Sequence, residues 1–434
     1  MKTLILDGSH PNDPTASRVS AALANALRAR GWPSEAVILR DQRIGNCAGD
    51  FYCWIRNPGV CNVADDNRAI AAQVAQSDLV VLLTPVTFGG YSSALKRMVD
   101  HLIQNISPYF TRIEGETHHQ KRYATYPNLL VVGWLGAADT TSEAIFRHLV
   151  HRNALNLHAK TALCRVVLAD AADGALAALS ERWLDDVARG CADPTPALPQ
   201  MAVAGEDAPP VRRVALVVGS PRTTSSTSAS LGGYLLAGLA RQGVTSETVQ
   251  LYTSLGSPTR MGRLLDTLDA ADLAVLAFPL YVDSLPAPVT AGLERIAAHH
   301  AQHATATRFA AICNCGFPEA AHCATALAIC GEFAREAGLP WLGGLALGGG
   351  EGLVHGTPLD QVGGQAAHIR AGLDIAAEAL AAGRSIPASA NARLARQPIP
   401  SWAYRFLGGH GWKSQAKVWG VQGNLKARPY EKVG

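Results

Sequence analysis

The chain of 434 residues carries the same arrangement of segments twice, about two hundred residues apart. In each half an apolar strand leads into a Gly-Ser turn and a hydroxyl-rich loop, at residues 4–17 and 216–228. A second apolar strand in each half ends in proline and a loop, at residues 79–93 and 273–287. Loops at the carboxyl ends of neighbouring parallel strands form the cradle of a flat, phosphate-bearing cofactor. The repeat therefore predicts a tandem duplication of a cofactor-binding α/β domain.

The helices that follow the proline-ended strands keep the same register in both halves. When Pro85 is set on Pro279, Leu95 falls on Val289 without a gap. A length of 434 residues also suits two domains of about two hundred residues each better than one core.

The composition limits the classes of function that need to be considered. With 48% hydrophobic and 17% charged residues, the chain has enough apolar surface to build two cores. A net charge of +3 is too mild to indicate nucleic-acid binding. No apolar run reaches the roughly 18 residues that a bilayer requires, and Met1 leads directly into a strand rather than into a signal peptide. We therefore expect a cytoplasmic protein without a membrane partner, whose nine cysteines are thiols or ligands.

Each half alternates apolar strands with amphipathic helices. This pattern predicts a three-layer α/β sandwich with five parallel strands in the order 2-1-3-4-5. The predicted strands are residues 4–7, 36–39, 79–84, 129–134 and 161–168 in the first half, and 214–218, 247–251, 273–277, 308–313 and 341–346 in the second.

Five prolines among residues 192–213 disfavour helix and sheet and indicate a linker. It separates a first domain, residues 1–191, from a second, residues 214–390. Residues 391–434 form a basic, aromatic C-terminal arm, which contains Trp402, Arg405, Trp412, Lys413, Lys417, Trp419, Lys426, Arg428 and Lys432. We expect the arm to pack on its own protein or on a second subunit; the alternatives are an acidic surface and the phosphate of a nucleotide.

The loop after the first strand of each half is a candidate phosphate site, because a loop that feeds a helix offers unpaired N–H groups and a favourable dipole. Gly8 and Gly219 allow the sharp turn. The second loop is the better site, since prolines and Asp13 weaken the first. The alternative is that each loop merely caps its helix. The candidate donors are Ser9, Thr15, Ser17 and Arg18 in the first loop, and Ser220, Arg222, Thr224, Ser226 and Ser228 in the second.

The proline-ended strands place backbone amides and an aromatic ring where the edge of a flat, electron-accepting ring would lie. Backbone N–H groups at that edge stabilise the negative charge that forms on reduction. In the second half Asp283 would oppose that charge, so the ring site is better in the first half. The candidate residues are Pro85, Val86, Thr87, Phe88, Gly89 and Gly90 in the first half, and Pro279 and Tyr281 in the second.

A third loop follows the fourth strand of each half. Small residues there would let the backbone approach a planar ring, and an aromatic side chain could stack on it. The alternative is an ordinary strand end with an aromatic residue in the core. The candidates are Gly133 and Trp134 in the first half, and Asn314 and Gly316 in the second.

Three segments together resemble a known family: GSPR with its Ser/Thr loop, TPVTFGGYSSALKRMVD, and CAGDFYCWIRNPGVCNVADD. They are similar to the NAD(P)H-dependent FMN reductase and iron–sulfur flavoprotein group of the flavodoxin-like superfamily. The resemblance covers most of residues 1–190 and, more loosely, residues 212–350. It implies two tandem flavodoxin-like domains.

The same resemblance implies FMN as the cofactor, NAD(P)H as the hydride donor, and a small acceptor such as a quinone, a free flavin or a nitro compound. Such a mechanism needs no side chain as acid or base, so no catalytic residue is assigned. The alternatives are an electron-transfer flavoprotein that serves a protein partner, and a relic without cofactor. A homodimer could complete the flavin pocket, although the second half could take the neighbour's part.

In the iron–sulfur members of this group a compact set of four cysteines precedes the Pro-Gly turn. Cys47, Cys53 and Cys61 match three of these positions, whereas Asp50 stands at the fourth. A four-iron cluster normally takes four thiolates, so this one would need Asp50, water or another chain as its last ligand. We therefore expect a metal-free loop beside the flavin.

Other clusters are read as structural. His118 and His119 are predicted to lie in a solvated loop, with contact to substrate as the alternative. Cys313, Cys315, Cys323 and Cys330 fit no spacing typical of a metal site. The histidines at 299, 300 and 303 are interpreted as the polar end of a helix, because no acidic or cysteine partner is evident.

Overall fold

The computed structural model describes residues 1–205, 208–397 and 399–432. The chain divides into two compact units: Met1–Leu198 with Arg405–Gly434, and Pro199–Tyr404. These bounds divide the predicted linker at residue 198 and the predicted arm at residue 405. Residues 206–207 of that linker, and residues 398, 433 and 434 of that arm, lie outside the described residues.

The first unit is built on a five-stranded parallel sheet with the order β2-β1-β3-β6-β7. Its strands are β1 (Thr3–Asp7), β2 (Ser34–Ile38), β3 (Leu79–Pro85), β6 (Asn128–Leu135) and β7 (Ala162–Leu168), with β4 (Ile106–Ile113) and β5 (Glu116–Lys121) in a separate hairpin. Its helices are α1 (Pro14–Ala29), α2 (Tyr52–Ile55), α3 (Asn67–Gln76), α4 (Ser93–His101), α5 (Thr140–Asn156) and α6 (Asp173–Ala188), with 3-10 turns at Leu39–Asp41 and Leu102–Asn105.

The second unit repeats this design, with the order β9-β8-β10-β11-β12. Its strands are β8 (Arg213–Val218), β9 (Thr245–Gln250), β10 (Leu273–Pro279), β11 (Arg308–Asn314) and β12 (Trp341–Leu347). Its helices are α7 (Thr227–Arg241), α8 (Leu251–Ser254), α9 (Pro258–Asp269), α10 (Ala287–His300), α11 (Ala324–Glu336), α12 (Gly350–Leu353), α13 (Ala367–Ala381) and α14 (Ala388–Leu394), with 3-10 turns at Thr223–Ser225, Ala320–Cys323 and Gly364–Ala366. The last helix of the chain, α15, is Ser401–Val418.

The predicted α/β class, the two flavodoxin-like sheets and the strand order 2-1-3-4-5 are confirmed. The central strands are continuous apolar runs, because a parallel strand that is covered by helices on both faces buries every side chain. All five residues of β1 and the first six of β3 and β10 are buried. Helices α6 and α13, which come after the last strand of each sheet, are additional to the strands and helices predicted from the sequence. None of the helices in the described part of the chain is long and apolar enough to cross a membrane.

The segment GETHHQKRY is not the predicted solvated loop. Its residues Glu116–Lys121 form β5, which pairs antiparallel with β4. His118 is fully buried, and its Nδ1 lies 3.0 Å from Oδ1 of Asn156. The prediction was wrong because Thr117 and His118 are buried in the unit, where His118 has a polar partner, while Gln120 and Lys121 remain exposed.

The arm residues from 405 onward belong to the first unit and cover the cysteine loop. Trp412 packs edge-on against Phe51 and Trp54, with ring centroids 5.2 Å apart in each pair. Arg122 donates hydrogen bonds to the carbonyl oxygens of Leu425 at 3.2 Å and Ala427 at 2.6 Å. This part of the arm therefore closes the core of its own unit.

The internal repeat is visible in one close contact of each unit. A Cβ at Gly8 would lie 2.4 Å from Cβ of Leu95, and a Cβ at Gly219 would lie 2.7 Å from Cγ2 of Val289. These are the helix residues that the alignment of Pro85 with Pro279 places in register. In each unit this glycine thus lets the candidate phosphate loop approach the helix after the proline-ended strand.

We expect Gly8→Ala to lower the free energy of unfolding of the first unit by about 1–3 kcal/mol, because backbone atoms of Leu95 lie within 2.9 Å of the added methyl group. Gly136→Ala is the matched control, since its Cβ would meet no atom within 4 Å. Urea unfolding followed by fluorescence measures both. Equal midpoints for the two variants would contradict the packing role of Gly8.

Candidate functional site

The phosphate loop of the first unit is filled by a carboxylate of the chain itself. Asp13 is the N-cap of α1, and its Oδ1 accepts hydrogen bonds from the backbone N–H of Thr15 at 3.0 Å and Ala16 at 3.3 Å. Its Oδ2 accepts from the indole N–H of Trp134 at 2.9 Å. A carboxylate held by three donors occupies the place at a helix N-terminus where an anion would bind.

The predicted donors of this loop bind other parts of the unit. The Thr15 hydroxyl donates to the carbonyl of Ala169, and Arg18 pairs with Asp173 at 2.6 Å. Ser17 is exposed on α1. The Ser9 hydroxyl accepts from Arg40 at 2.7 Å, a cation that the sequence did not associate with the loop. The structure therefore does not gather the predicted donors around one point.

The corresponding loop of the second unit begins its helix with a neutral residue. Ser226 is the N-cap of α7 and accepts from the backbone N–H of Ala229 at 3.1 Å. The Ser220 hydroxyl accepts from the backbone N–H of Arg222 at 3.3 Å. Arg222 pairs with Glu351 at 2.7 Å, and the two side chains are 32% and 34% exposed. A cation and several hydroxyl groups thus line an accessible loop, which fits a phosphate.

In the first unit the turn after the proline-ended strand is closed on itself. The N–H groups of Thr87 and Gly90 donate to each other's carbonyl oxygens, and the N–H of Val86 donates to Trp134. Phe88 and Gly89 have positive φ angles of 53° and 73°. Three of the amides assigned to a ring edge are therefore engaged within the turn or with the neighbouring strand.

The matching turn of the second unit has the same geometry and a half-buried aromatic side chain, Tyr281. The N–H groups of Tyr281 and Ser284 donate to each other's carbonyl oxygens, and Asp283 has a positive φ of 54°. Asp283 is 2% exposed, and its Oδ1 lies 3.6 Å from Nδ1 of His322. The sequence did not reveal this histidine as the partner of Asp283.

His322 carries the charge that compensates Asp283. Burial alone would lower the pKa of His322, but the carboxylates of Asp283 and Glu319, each 3.6 Å from a ring nitrogen, raise the pKa to about 10. The imidazole is therefore cationic at neutral pH. The negative charge that we expected to oppose a reduced ring is offset inside the unit.

The third loops differ in what surrounds their glycines. A Cβ at Gly133 would lie 2.7 Å from Phe146, so this glycine is explained by packing. A Cβ at Gly316 would meet no atom within 4 Å, although the Tyr404 hydroxyl donates to its carbonyl at 2.5 Å. The Asn314 amide donates to the Ser228 hydroxyl at 2.9 Å and links this loop to α7. The first unit has both features as well, since a Cβ at Gly136 would meet no atom within 4 Å and Trp134 donates to Asp13, so the third loops do not distinguish the two units.

Cys47, Cys53 and Cys61 lie close enough to influence one another's pKa and form a cysteine pocket in which Cys53 is buried and the other two are half-buried. Burial raises the pKa of Cys47 to about 12, and nearby Cys61 and Asp100 contribute. Burial also raises the pKa of Cys53, followed by the influence of Cys47 and Cys61. The Cys61 sulfur lies 3.6 Å from Nδ1 of His101, whose Nε2 lies 2.9 Å from the carbonyl oxygen of Gly45.

The donor set of this pocket fits three ligands of a metal cluster and offers an imidazole beside them. The sequence did not indicate His101, which lies 40 residues after Cys61. Arg122 contributes positive charge near Cys53, and among the described residues its Nη2 has no hydrogen-bond partner. Asp50, which stands at the fourth cysteine position, accepts a hydrogen bond from the N–H of Tyr52.

A sequence model described as "NADPH-dependent FMN reductase" matches residues 1–163 and 212–329. An iron–sulfur flavoprotein of Methanocaldococcus jannaschii is 34% identical over 101 residues, which are 23% of this chain and 51% of the relative. An iron–sulfur flavoprotein of Archaeoglobus fulgidus is 28% identical over 100 residues, 23% of this chain and 48% of the relative. The chain spans about half the length of these curated relatives.

Two solved structures are also similar. An NAD(P)H:quinone oxidoreductase from Methanothermobacter marburgensis is 14% identical, with a TM-score of 0.34, and the match covers 43% of this chain and 96% of that one. An FMN-dependent NADH-azoreductase from Bacillus anthracis is 14% identical, with a TM-score of 0.31 and coverage of 43% and 97%. Sequence identities and TM-scores this low do not identify the substrates or partners of this chain.

We expect the thiols of the cysteine pocket to resist alkylation, because burial raises the pKa of Cys47 and Cys53 and keeps both protonated. Iodoacetamide at pH 8, followed by peptide mass spectrometry, should label both far more slowly in the folded protein than in urea. Rapid labelling would contradict the raised pKa of these two thiols. Stoichiometric iron in the purified protein would contradict the metal-free loop predicted from the sequence.

The His322 cluster predicts a pH dependence of stability. Because the folded pKa of His322 lies near 10, above the ordinary value near 6.5, its contribution is fully present below pH 6.5 and is lost as the pH rises through 10. The difference in unfolding free energy between the wild type and His322→Gln should therefore shrink from pH 6.5 to pH 10. Urea titrations at several pH values measure it. A constant difference would show that the histidine is neutral.

Proposed function

Because the chain belongs to the NADPH-dependent FMN reductase family, we propose that it is a flavin oxidoreductase that passes electrons from NAD(P)H through FMN to a small acceptor such as a quinone or a free flavin. The observation that carries this proposal is the phosphate loop of the second unit. That loop combines the neutral cap Ser226 with the cation Arg222.

We place the cofactor in the second unit. A phosphate monoester carries nearly two negative charges and requires a helix N-terminus without a competing carboxylate. In the first unit Asp13 already accepts the N–H groups at the start of α1. In the second unit Glu351 pairs with Arg222, but both side chains are about one-third exposed and Glu351 lies on a separate helix, α12. A phosphate could therefore replace Glu351 on Arg222 without breaking the cap.

The ring would lie at the turn after β10 in the same unit. Tyr281 is half-buried there, and Gly316, where a Cβ would meet no atom within 4 Å, follows the neighbouring strand β11. The pairing of Asp283 with cationic His322 reduces the repulsion that favoured the first unit on sequence alone. Bound FMN would supply two-electron chemistry, accepting hydride from the nicotinamide and returning electrons to the acceptor.

The residues of the chain then have binding and orienting roles. Arg222 and the hydroxyl groups of Ser220 and Thr224 would hold the phosphate and fix the position of the ring. His322 would offset part of the negative charge that Asp283 and Glu319 bring to the turn beside the ring. None of these roles requires a side chain to accept a proton from the substrate or to donate one to it.

We expect Ser226→Asp to weaken FMN binding by about a hundredfold, because it places a carboxylate beside the phosphate. The substitution preserves the fold of the loop, since aspartate is itself a good N-cap and Asp13 has this role in the first unit. Ser226→Asn is the matched neutral control and should bind FMN like the wild type. Isothermal titration with FMN measures all three proteins.

The same proteins test the reaction. Stopped-flow mixing with NADPH or NADH should reduce the bound flavin of the wild type and of Ser226→Asn within seconds or faster. Reduction that takes hours would indicate an electron carrier for a protein partner. Full FMN occupancy in Ser226→Asp would place the cofactor outside the second unit, and a wild type that binds no FMN would overturn the proposal.

A further inference from the structure

The ends of α9 and α10 bring two imidazoles to one carboxylate. Nε2 of His299 lies 2.7 Å from Oδ2 of Asp269, and Nε2 of His300 lies 3.3 Å from Oδ1 of the same side chain. One ligand atom from each of the three residues lies within 4.8 Å of the other two. No acidic partner for these histidines could be recognised in the sequence, because Asp269 lies 30 residues before His299.

From this arrangement we propose that Asp269, His299 and His300 form a binding site for a divalent transition-metal ion of the zinc class. Two imidazole nitrogens and one carboxylate oxygen are a common ligand set for zinc, which leaves a fourth position for water. Imidazole favours zinc, copper and nickel over magnesium and calcium, which prefer oxygen ligands. The ligand chemistry therefore selects this class of ion.

The ligands are held in place before an ion arrives. The His300 side chain is 2% exposed and lies among Leu268, Thr307 and Phe309. His299 stacks on His303, with ring centroids 4.4 Å apart and an angle of 18° between the rings. Because these side chains are already held in place, they lose less conformational entropy when an ion binds.

The position of the site indicates a structural role. Asp269 lies four residues before β10 begins at Leu273, so the site is at the amino end of that strand. The proposed flavin site is at the carboxyl end of the same strand. A bound ion would connect the C-termini of α9 and α10 and stabilise the second unit without contacting the cofactor. This inference does not rest on the proposed function.

Titration of the metal-stripped, full-length protein with zinc chloride in a calorimeter tests the site. We expect Asp269→Asn to lose one equivalent of tightly bound zinc relative to the wild type, and His299→Ala to lose the same equivalent. His410→Ala, which removes an exposed histidine elsewhere, is the control and should keep the wild-type stoichiometry. The decisive quantity is the difference in zinc stoichiometry between the wild type and each variant, because the cysteine pocket could bind zinc in all of these proteins.

Thermal unfolding gives a second readout. Zinc should raise the unfolding temperature of the second unit in the wild type and in His410→Ala, but not in Asp269→Asn, because ligand binding to the folded state adds stability. Equal zinc stoichiometry in the wild type and in both site variants would overturn the proposal. FMN content should be the same in all variants, so failure of the metal site and failure of the proposed function remain distinguishable.

Discussion

The start of the helix after the first strand is the constraint on which the organisation of both units depends. The first N–H groups of any α-helix lack partners within the helix and must be satisfied by a side chain, water or a ligand. In the first unit the carboxylate of Asp13 satisfies two of them and is itself fixed by Trp134. In the second unit the hydroxyl of Ser226 satisfies one and adds no charge. The same backbone geometry thus gives one loop filled by the chain and one loop suited to an anion.

This difference suggests how the duplicated domains divide their roles. Both units keep the glycine that lets the phosphate loop approach the next helix, Gly8 or Gly219. Both also keep the tight turn after the proline-ended strand. These shared features maintain the sheet edge, whereas the charged residues around it differ. Under the proposed function, the second unit binds the cofactor and the first provides the covered cysteine pocket.

The sheets could be predicted because buried parallel strands are continuous apolar runs, and the order follows from the alternation of strands and helices. The partners of the site residues could not, because they are far apart in sequence. Glu351 meets Arg222 across 129 residues, and Trp134 meets Asp13 across 121. The hairpin of β4 and β5 was missed because its buried His118 is polar and its partner, Asn156, lies on another element. The hydrophobic pattern of the sequence indicates which segments are buried, whereas the tertiary fold decides which polar groups pair.

The contact between the arm and the cysteine loop has a consequence for biosynthesis. Residues 405–432 complete the first unit, yet they follow the whole second unit along the chain. On the ribosome, the second unit can therefore mature while Trp54 and Arg122 still lack the groups that cover them. Although the first unit begins to be synthesised before the second, it is therefore the last of the two to complete its core.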